Sequence, residues 1–263
     1  MRQYRRRLVA QARFRSASSL VHLLSWASGG QGISTRVPFG PLHGMRLNMP
    51  TDDHPALSLG VYERHVVRAV REFTRHGDVA YDIGAHIGYV TLVFSRIAGT
   101  SGHVYSFEPD PRNVDMLHKN IANNRISNVS IVQMVVADVS RAVDFATFDY
   151  SFVNHIANGH TPGDATVLTL RSTTLDEYVY TQGNPAPDII KIDVEGAELL
   201  VFRGAHRLLR EARPVVIAEI RREYWDAIAQ QVQQIGYRAS VLGHGKLQQT
   251  GDLADVLLVP HDR

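Results

Sequence analysis

Five short apolar runs recur along this chain, each separated from the next by a stretch with helical spacing or by a turn. They are Val79–Ile83, His103–Phe107, Val129–Val136, Asp188–Ile192 and Val215–Ile220. Continuous apolar strands alternating with helices require a mostly parallel sheet covered on both faces. Helices are expected over Pro55–His76, from the turn after Ile83 through Ile97, from Asp110-Pro111 to Asn123-Asn124, over Ala197–Glu211 and over Glu223–Gln234. In the first of these, Leu57, Val61, Val66, Val70 and Phe73 recur at spacings of three to five and share a face. Asp110 can cap its helix, and Pro111 suits the first helical position. Tyr237–Leu242 and Asp255–Val259 have no helix between them, so they should form an antiparallel hairpin at the sheet edge.

The ends and one interior segment fall outside this alternation. Residues 1–28 read as a helix ending at Gly29-Gly30, and residues 33–50 as turns with one short hairpin. This gives a basic N-terminal arm and lead-in over 1–50, then a domain over 51–263. Residues 138–174 contain β-prone and polar pieces with no helix signal, and long irregular segments of this kind are often functional. The chain has no cysteine, which excludes disulfide scaffolds, thiolate metal sites and thiol nucleophiles. Its 263 residues bury enough surface to fold without such staples. A net charge of +2 does not argue for nucleic acid. The arm is different: residues 1–36 carry Arg2, Arg5, Arg6, Arg7, Arg13, Arg15 and Arg36, and the first acid is Asp52. Such an arm suits phosphates or an anionic lipid surface; the alternative is a solvated helix packed on the domain. Leu20–Ala27, broken by His22 and Ser25, is a poor signal peptide, and no stretch reaches the length of a membrane span. The expectation is a soluble, cytoplasmic protein.

The first strand runs into Asp82-Ile83-Gly84-Ala85-His86-Ile87-Gly88, a D-x-G-x-x-x-G turn. Dinucleotide folds use G-x-G-x-x-G to bring backbone close to a pyrophosphate. An acid at the strand end would repel a pyrophosphate and attract an α-ammonium group. Gly84 lets the backbone turn sharply, and Gly88 lets the helix pack close. The second strand ends in Phe107-Glu108-Pro109-Asp110, which places Glu108 to accept from both ribose hydroxyls. Together these signals fit S-adenosylmethionine, with the ammonium on Asp82, the ribose on Glu108 and the adenine near Asp138. The candidate cofactor surface is Asp82, Gly84, Ala85, His86, Gly88, Tyr89, Glu108, Pro109, Asp138 and Asp193. The fourth strand runs into Lys191-Ile192-Asp193-Val194-Glu195-Gly196-Ala197-Glu198, and Glu219 ends the fifth. Acids at the carboxyl ends of central strands are costly to bury unless they bind something, and ligands sit there. Glu198 reads as capping or salt-bridging its own helix.

These stretches resemble the FkbM family of S-adenosylmethionine-dependent methyltransferases. The resemblance spans about residues 60–240 and includes Thr174-Leu175-Asp176, Ala218-Glu219-Ile220 and Tyr62-Glu63 ahead of the first strand. His86 stands where the family more often has Asn, and Arg221 where a His is frequent. The resemblance implies a Rossmann-like class I methyltransferase fold, with a mostly parallel seven-stranded sheet and an antiparallel C-terminal hairpin. It also implies methyl transfer to a hydroxyl oxygen on a sugar, glycan or polyketide-type secondary metabolite.

A hydroxyl must lose its proton as it attacks. Either Asp193 and Glu219 hold a divalent cation that lowers its pKa, or a side chain acts as base without metal. The metal-free arrangement is preferred, because two acids alone make a thin metal site. Glu195 is the chosen base, with His155 and His160 as further candidates and Asp193 and Glu219 beside them. Tyr62, Glu63, Asn154 and Asn158 are the acceptor-binding candidates. Two other readings compete: an RNA methyltransferase using the arm, and a non-catalytic scaffold that keeps the cofactor fold.

Overall fold

The computed structural model describes residues 32–50, 55–147, 155–156, 165–243 and 252–262, with backbone alone at Pro55, His155 and Ile156. The expected helix over residues 1–28 lies outside them. The described chain begins with an antiparallel pair, β1 (Ile33–Arg36) and β2 (Arg46–Met49). The connecting turn is not a loose lead-in: Val37, Leu42, Leu47 and Met49 are buried in one core with Val66, Val70, Leu92 and Phe94.

Where one helix was expected over 55–76, two occur, α1 (Pro55–Leu59) and α2 (Arg64–Phe73). The break has a steric cause. Gly60 has φ +75°, and a Cβ there would meet the Phe39 carbonyl oxygen at 2.1 Å. Glu63 then takes left-handed φ 42° before α2 starts. Val61, read as part of the apolar face, is exposed.

The alternation then proceeds as expected. It comprises β3 (Val79–Ile83), α3 (Tyr89–Ala98), β4 (His103–Phe107) and α4 (Pro111–Asn123). The Asp110 carboxylate accepts from the Arg112 N–H, and Pro111 opens α4. The third apolar run divides. β5 (Val129–Val132) stays in the main sheet, whereas β6 (Val135–Val136) leaves at Gln133-Met134 and pairs elsewhere. Its partner belongs to the segment read as irregular. β7 (Ala142–Thr147), β8 (His155–Ile156) and β9 (Thr166–Thr173) form with β6 a second sheet ordered β6-β9-β7-β8.

Next come α5 (Leu175–Tyr180), β10 (Ile189–Ile192), and α6 (Glu198–Gly204) with α7 (His206–Glu211), which break at Ala205 what was expected as one helix. β11 (Val215–Arg221), α8 (Arg222–Gln234), β12 (Tyr237–Val241) and β13 (Leu253–Pro260) complete the chain. Among the described residues the main sheet has seven strands, ordered β12-β13-β11-β10-β3-β4-β5. The five from β11 to β5 are parallel, and β13 runs antiparallel between β11 and β12. This is the class I methyltransferase arrangement, closed by the antiparallel C-terminal hairpin. One core packs Tyr81, Phe107, Ile190 and Phe202 on one face of the sheet, and the other packs Ala80, Val104, Ile189 and Ile217 on the opposite face.

Candidate active site

A cleft opens at the carboxyl edge of the sheet, where β3, β4 and β10 all end. Its lining includes Tyr62, Glu63, Gly84, His86, Tyr89, Glu108, Pro109, Lys191, Asp193 and Glu195. The non-atom space, counted with its open mouth, is about 920 Å³. One wall is apolar, from Phe107, Met134, Val135, Val136 and Phe145.

The turn after β3 is set by close backbone packing. Gly84 and Ala85 both donate their N–H to the Phe107 carbonyl. Gly84 has φ +78°, and a Cβ there would sit 1.8 Å from the Asp193 carbonyl oxygen, so no side chain fits. A Cβ on Gly88 would meet Leu117 Cδ1 at 2.2 Å, which is why α3 can lie this close to α4. His86 takes φ 51°. Asn and His are among the few non-glycine residues enriched in this conformation. Burial, and then the Lys191 charge, push its imidazole down to about 4, so it is neutral near pH 7. A neutral, left-handed His can therefore occupy the place of an Asn.

Glu108 is 5% exposed and held from three sides. Its Oε2 accepts from the His86 N–H at 2.8 Å; its Oε1 accepts from the Asp110 N–H at 3.0 Å and the Asn113 amide at 3.1 Å. A carboxylate offers about four acceptor positions, so about one strong position remains for a ligand. Burial pushes the group up to about 7 against these hydrogen bonds.

Asp82 is fully buried and does not line the cleft. Its Oδ2 accepts from the Thr91 hydroxyl at 2.6 Å, and its Oδ1 lies 3.7 Å from Lys191 Nζ. Between the strand ends, Lys191 Nζ donates to the Gly84 carbonyl at 3.1 Å and lies 3.4 Å from Asp193 Oδ2. Burial works against the lysine charge, but Asp193, Asp82 and Glu63 outweigh it and hold Lys191 protonated. Burial pushes Asp82 up, with Lys191 and Thr91 pulling back.

Glu63 reaches the same cleft from the break before α2. Its Oε2 is buried and has no hydrogen-bond partner. Burial pushes it up to about 7; Lys191 opposes, whereas Asp193 and Asp255 add to the rise. Asp255 on β13 is raised by burial and then by Asp193, with Lys191 and His65 opposing. No sequence signal short of the fold brings Asp255 here. Its register partner is Glu219, which puts both at the same sheet level.

Asp193, Glu195 and Glu219 come together, with carboxylate oxygens all within 4.8 Å of one another. Glu195 thus supplies a third acid beside the expected pair. One cation adjoins the group, Lys191 at Asp193, and the Arg221 guanidinium packs against Gly196, where a Cβ would meet it at 3.1 Å. Glu198 does not cap its helix, whose N-cap is Ala197; it accepts from the Gly196 N–H at 2.7 Å and so closes the turn ahead of α6.

The structure brings Tyr62, Glu63, Gly84, Ala85, His86, Tyr89, Glu108, Pro109, Asp193 and Glu195 to one cleft. Asp138 is not in its lining, because the chain turns away into the second sheet after β6. His155 lies on β8 opposite Ala146, one residue from the register partner of Phe145. Asn154, Asn158 and His160 lie outside the described residues. Among those described, no helix is long and apolar enough to cross a membrane.

Residues 82–239 match the methyltransferase FkbM domain. The chain belongs to that family. The hexuronic acid methyltransferase AglP of Haloferax volcanii is 28% identical over 156 residues, covering 59% of this chain and 61% of that protein. A protein-L-isoaspartate O-methyltransferase of Methanothrix thermoacetophila is 38% identical over 58 residues, 22% of this chain and 28% of that one. The chain therefore spans less than two thirds of each of these relatives. A solved methyltransferase FkbM from Methylobacillus flagellatus superposes with TM-score 0.48 at 16% identity, covering 78% of this chain and 55% of that chain.

Proposed function

We propose that this protein is an S-adenosylmethionine-dependent O-methyltransferase whose acceptor is a hydroxyl on a sugar, glycan or polyketide-type metabolite. The observation that carries the reading is the cleft itself. It joins a ribose-competent Glu108, a turn at Gly84 with no room for a side chain, and an orphaned carboxylate oxygen on Glu63. These features fit the cofactor. Family membership supports methyl transfer, and the relative acting on a hexuronic acid favours a sugar hydroxyl.

Glu108 takes the ribose, and Met134, Val136 and Phe145 offer the adenine an apolar wall in place of Asp138. Glu63 takes the α-ammonium in place of Asp82, which holds Lys191 from behind. When bound, S-adenosylmethionine supplies an electrophilic methyl group. The chain positions the acceptor and removes its proton. Glu195 is the base, since it lines the cleft and groups with Asp193 and Glu219. Tyr62, edge-on to Tyr89 at 5.7 Å, flanks the acceptor side. No metal is assigned, because the Lys191 ammonium already lies 3.4 Å from Asp193.

Calorimetric titration with S-adenosylhomocysteine, against NADH, tests this. Micromolar binding of the former alone is expected, followed by methyl transfer to sugar hydroxyl acceptors. An absence of S-adenosylhomocysteine binding refutes the reading.

A further inference from the structure

Five large apolar side chains are exposed among the described residues, and three of them meet at one place. Phe39 is 62% exposed, Leu59 47% and Val61 40%. They are brought together by a backbone crossing. Gly40 and Gly60 approach so closely that a Cβ on Gly40 would sit 2.0 Å from the Gly60 carbonyl oxygen. Apolar residues scattered singly over a surface need no explanation, but a cluster does.

Two further observations say what covers it. The elements that carry the patch also carry exposed arginines. Exposed Arg64, Arg68 and Arg71 follow Val61 at spacings that place them on one side of α2. Exposed Arg36 and Arg46 are register partners on the hairpin whose turn carries Phe39. The patch also borders the cleft, since Leu57, Tyr62 and Glu63 of the same segment line it.

We infer that this face is a docking surface for an anionic lipid bilayer, on which the cleft opens beside the membrane. Apolar tips bury shallowly among headgroups while arginines extend to lipid phosphates. The charge complementarity favours an anionic leaflet over a zwitterionic one. An enzyme so placed would take its acceptor at or near the membrane surface. This inference stands on the surface alone and does not depend on the identity of the cofactor.

Flotation of the full-length chain with vesicles tests it, using phosphatidylcholine alone or mixed with phosphatidylglycerol. Binding is expected only with phosphatidylglycerol present, weakening as salt is raised. Arg64→Gln and Arg68→Gln should each reduce vesicle affinity about fivefold. The triple change Phe39→Ser, Leu59→Ser, Val61→Ser should reduce it about tenfold or more. The melting temperature should not move in any of these variants. In Phe39→Trp, brominated lipid should quench the new indole. The inference is overturned if the wild-type chain does not float, or if these variants float as well as it does. It is equally overturned if only deletion of residues 1–31 abolishes binding, or if the chain binds single-stranded RNA and no vesicles.

Discussion

Glu63→Gln separates the carboxylate that meets the cofactor from the one that stands behind it. Parallel strands are spaced about 4.8 Å apart. From Glu108 at the end of β4, crossing β3 to the end of β10 is two strand steps, about 10 Å. That is comparable to the reach from a ribose through a thioether to an amino-acid end. At the β10 end the cleft presents Asp193, already 3.4 Å from Lys191, and Glu63, whose Oε2 has no hydrogen-bond partner. A hydrogen bond to a charged partner contributes about 1.5–3 kcal/mol. Removing the charge should therefore weaken S-adenosylhomocysteine binding by about tenfold or more. 5′-Methylthioadenosine shares the nucleoside but lacks the amino-acid end, so its affinity should not move. The pH dependence has a definite sign. Glu63 is pushed up to about 7, by burial first, so it is neutral and unable to attract an ammonium below that value. S-adenosylhomocysteine affinity should thus rise about tenfold between about pH 6 and pH 8. Glu108 is also pushed up to about 7 but acts on both ligands alike, so their affinity ratio isolates Glu63. Calorimetry of both ligands, wild type against Glu63→Gln across this range, is the assay. Equal loss of both ligands in the variant, or an unchanged ratio at every pH, refutes the reasoning.

Three further outcomes follow from the site. Glu195→Gln should lower kcat by about 10²–10⁴ with S-adenosylhomocysteine affinity unchanged, and wild-type turnover should survive EDTA; loss with EDTA would reinstate a metal on the Asp193–Glu195–Glu219 group. Gly84→Ala combines φ +78° with a 1.8 Å clash against Asp193 backbone; a thermal melt should show a loss of about 3 kcal/mol or more and calorimetry no cofactor binding. His86→Asn should be close to neutral in both measurements, whereas His86→Val should destabilise by about 1–3 kcal/mol, because a β-branched residue does not accept φ 51°.

The alternation of strands and helices was readable because the central runs β3 and β10 are buried along nearly their whole length and helices such as α4 bury one face through Val114 and Leu117. The Asp110-Pro111 start of α4 was readable because it is a local device. Breaks within apolar stretches were not. Nothing in the residues of Val129–Val136 marks Gln133-Met134 as the point where pairing passes from β4 to β9, since both halves are equally apolar. That switch carries Asp138 away from the cleft and gives β7, β8 and β9 a sheet of their own with β6. Likewise Gly60 reads as a weak interruption until Phe39 is brought against it from 21 positions earlier. The acids were found as a group, but their order in depth was not. Strand register pairs Asp82 with Lys191, which puts the lysine between that acid and the cleft. Glu63 owes its raised carboxyl to burial first and then to Lys191, Asp193 and Asp255, all far away in sequence.

The Lys191–Asp82 pair is hard to explain by stability. Lys191 is 6% exposed and Asp82 fully buried, and buried ion pairs commonly contribute less than apolar residues of the same volume. Removing only one partner leaves a stranded charge and costs about 3–5 kcal/mol, but that loss measures the stranding and not the worth of the pair. The geometry supplies a different reason for its presence. The ammonium of Lys191 holds the Gly84 carbonyl at 3.1 Å and the Asp193 carboxylate at 3.4 Å, and both residues line the cleft. Asp82, anchored by Thr91, fixes the lysine in turn. Apolar replacements at Asp82 and Lys191 would keep the β3–β10 backbone pairing, which needs neither side chain. They would release the Gly84 turn and let Asp193 swing. The pair therefore acts as a brace between two strand ends, and the groups it braces are those against which we place the amino-acid end of the cofactor.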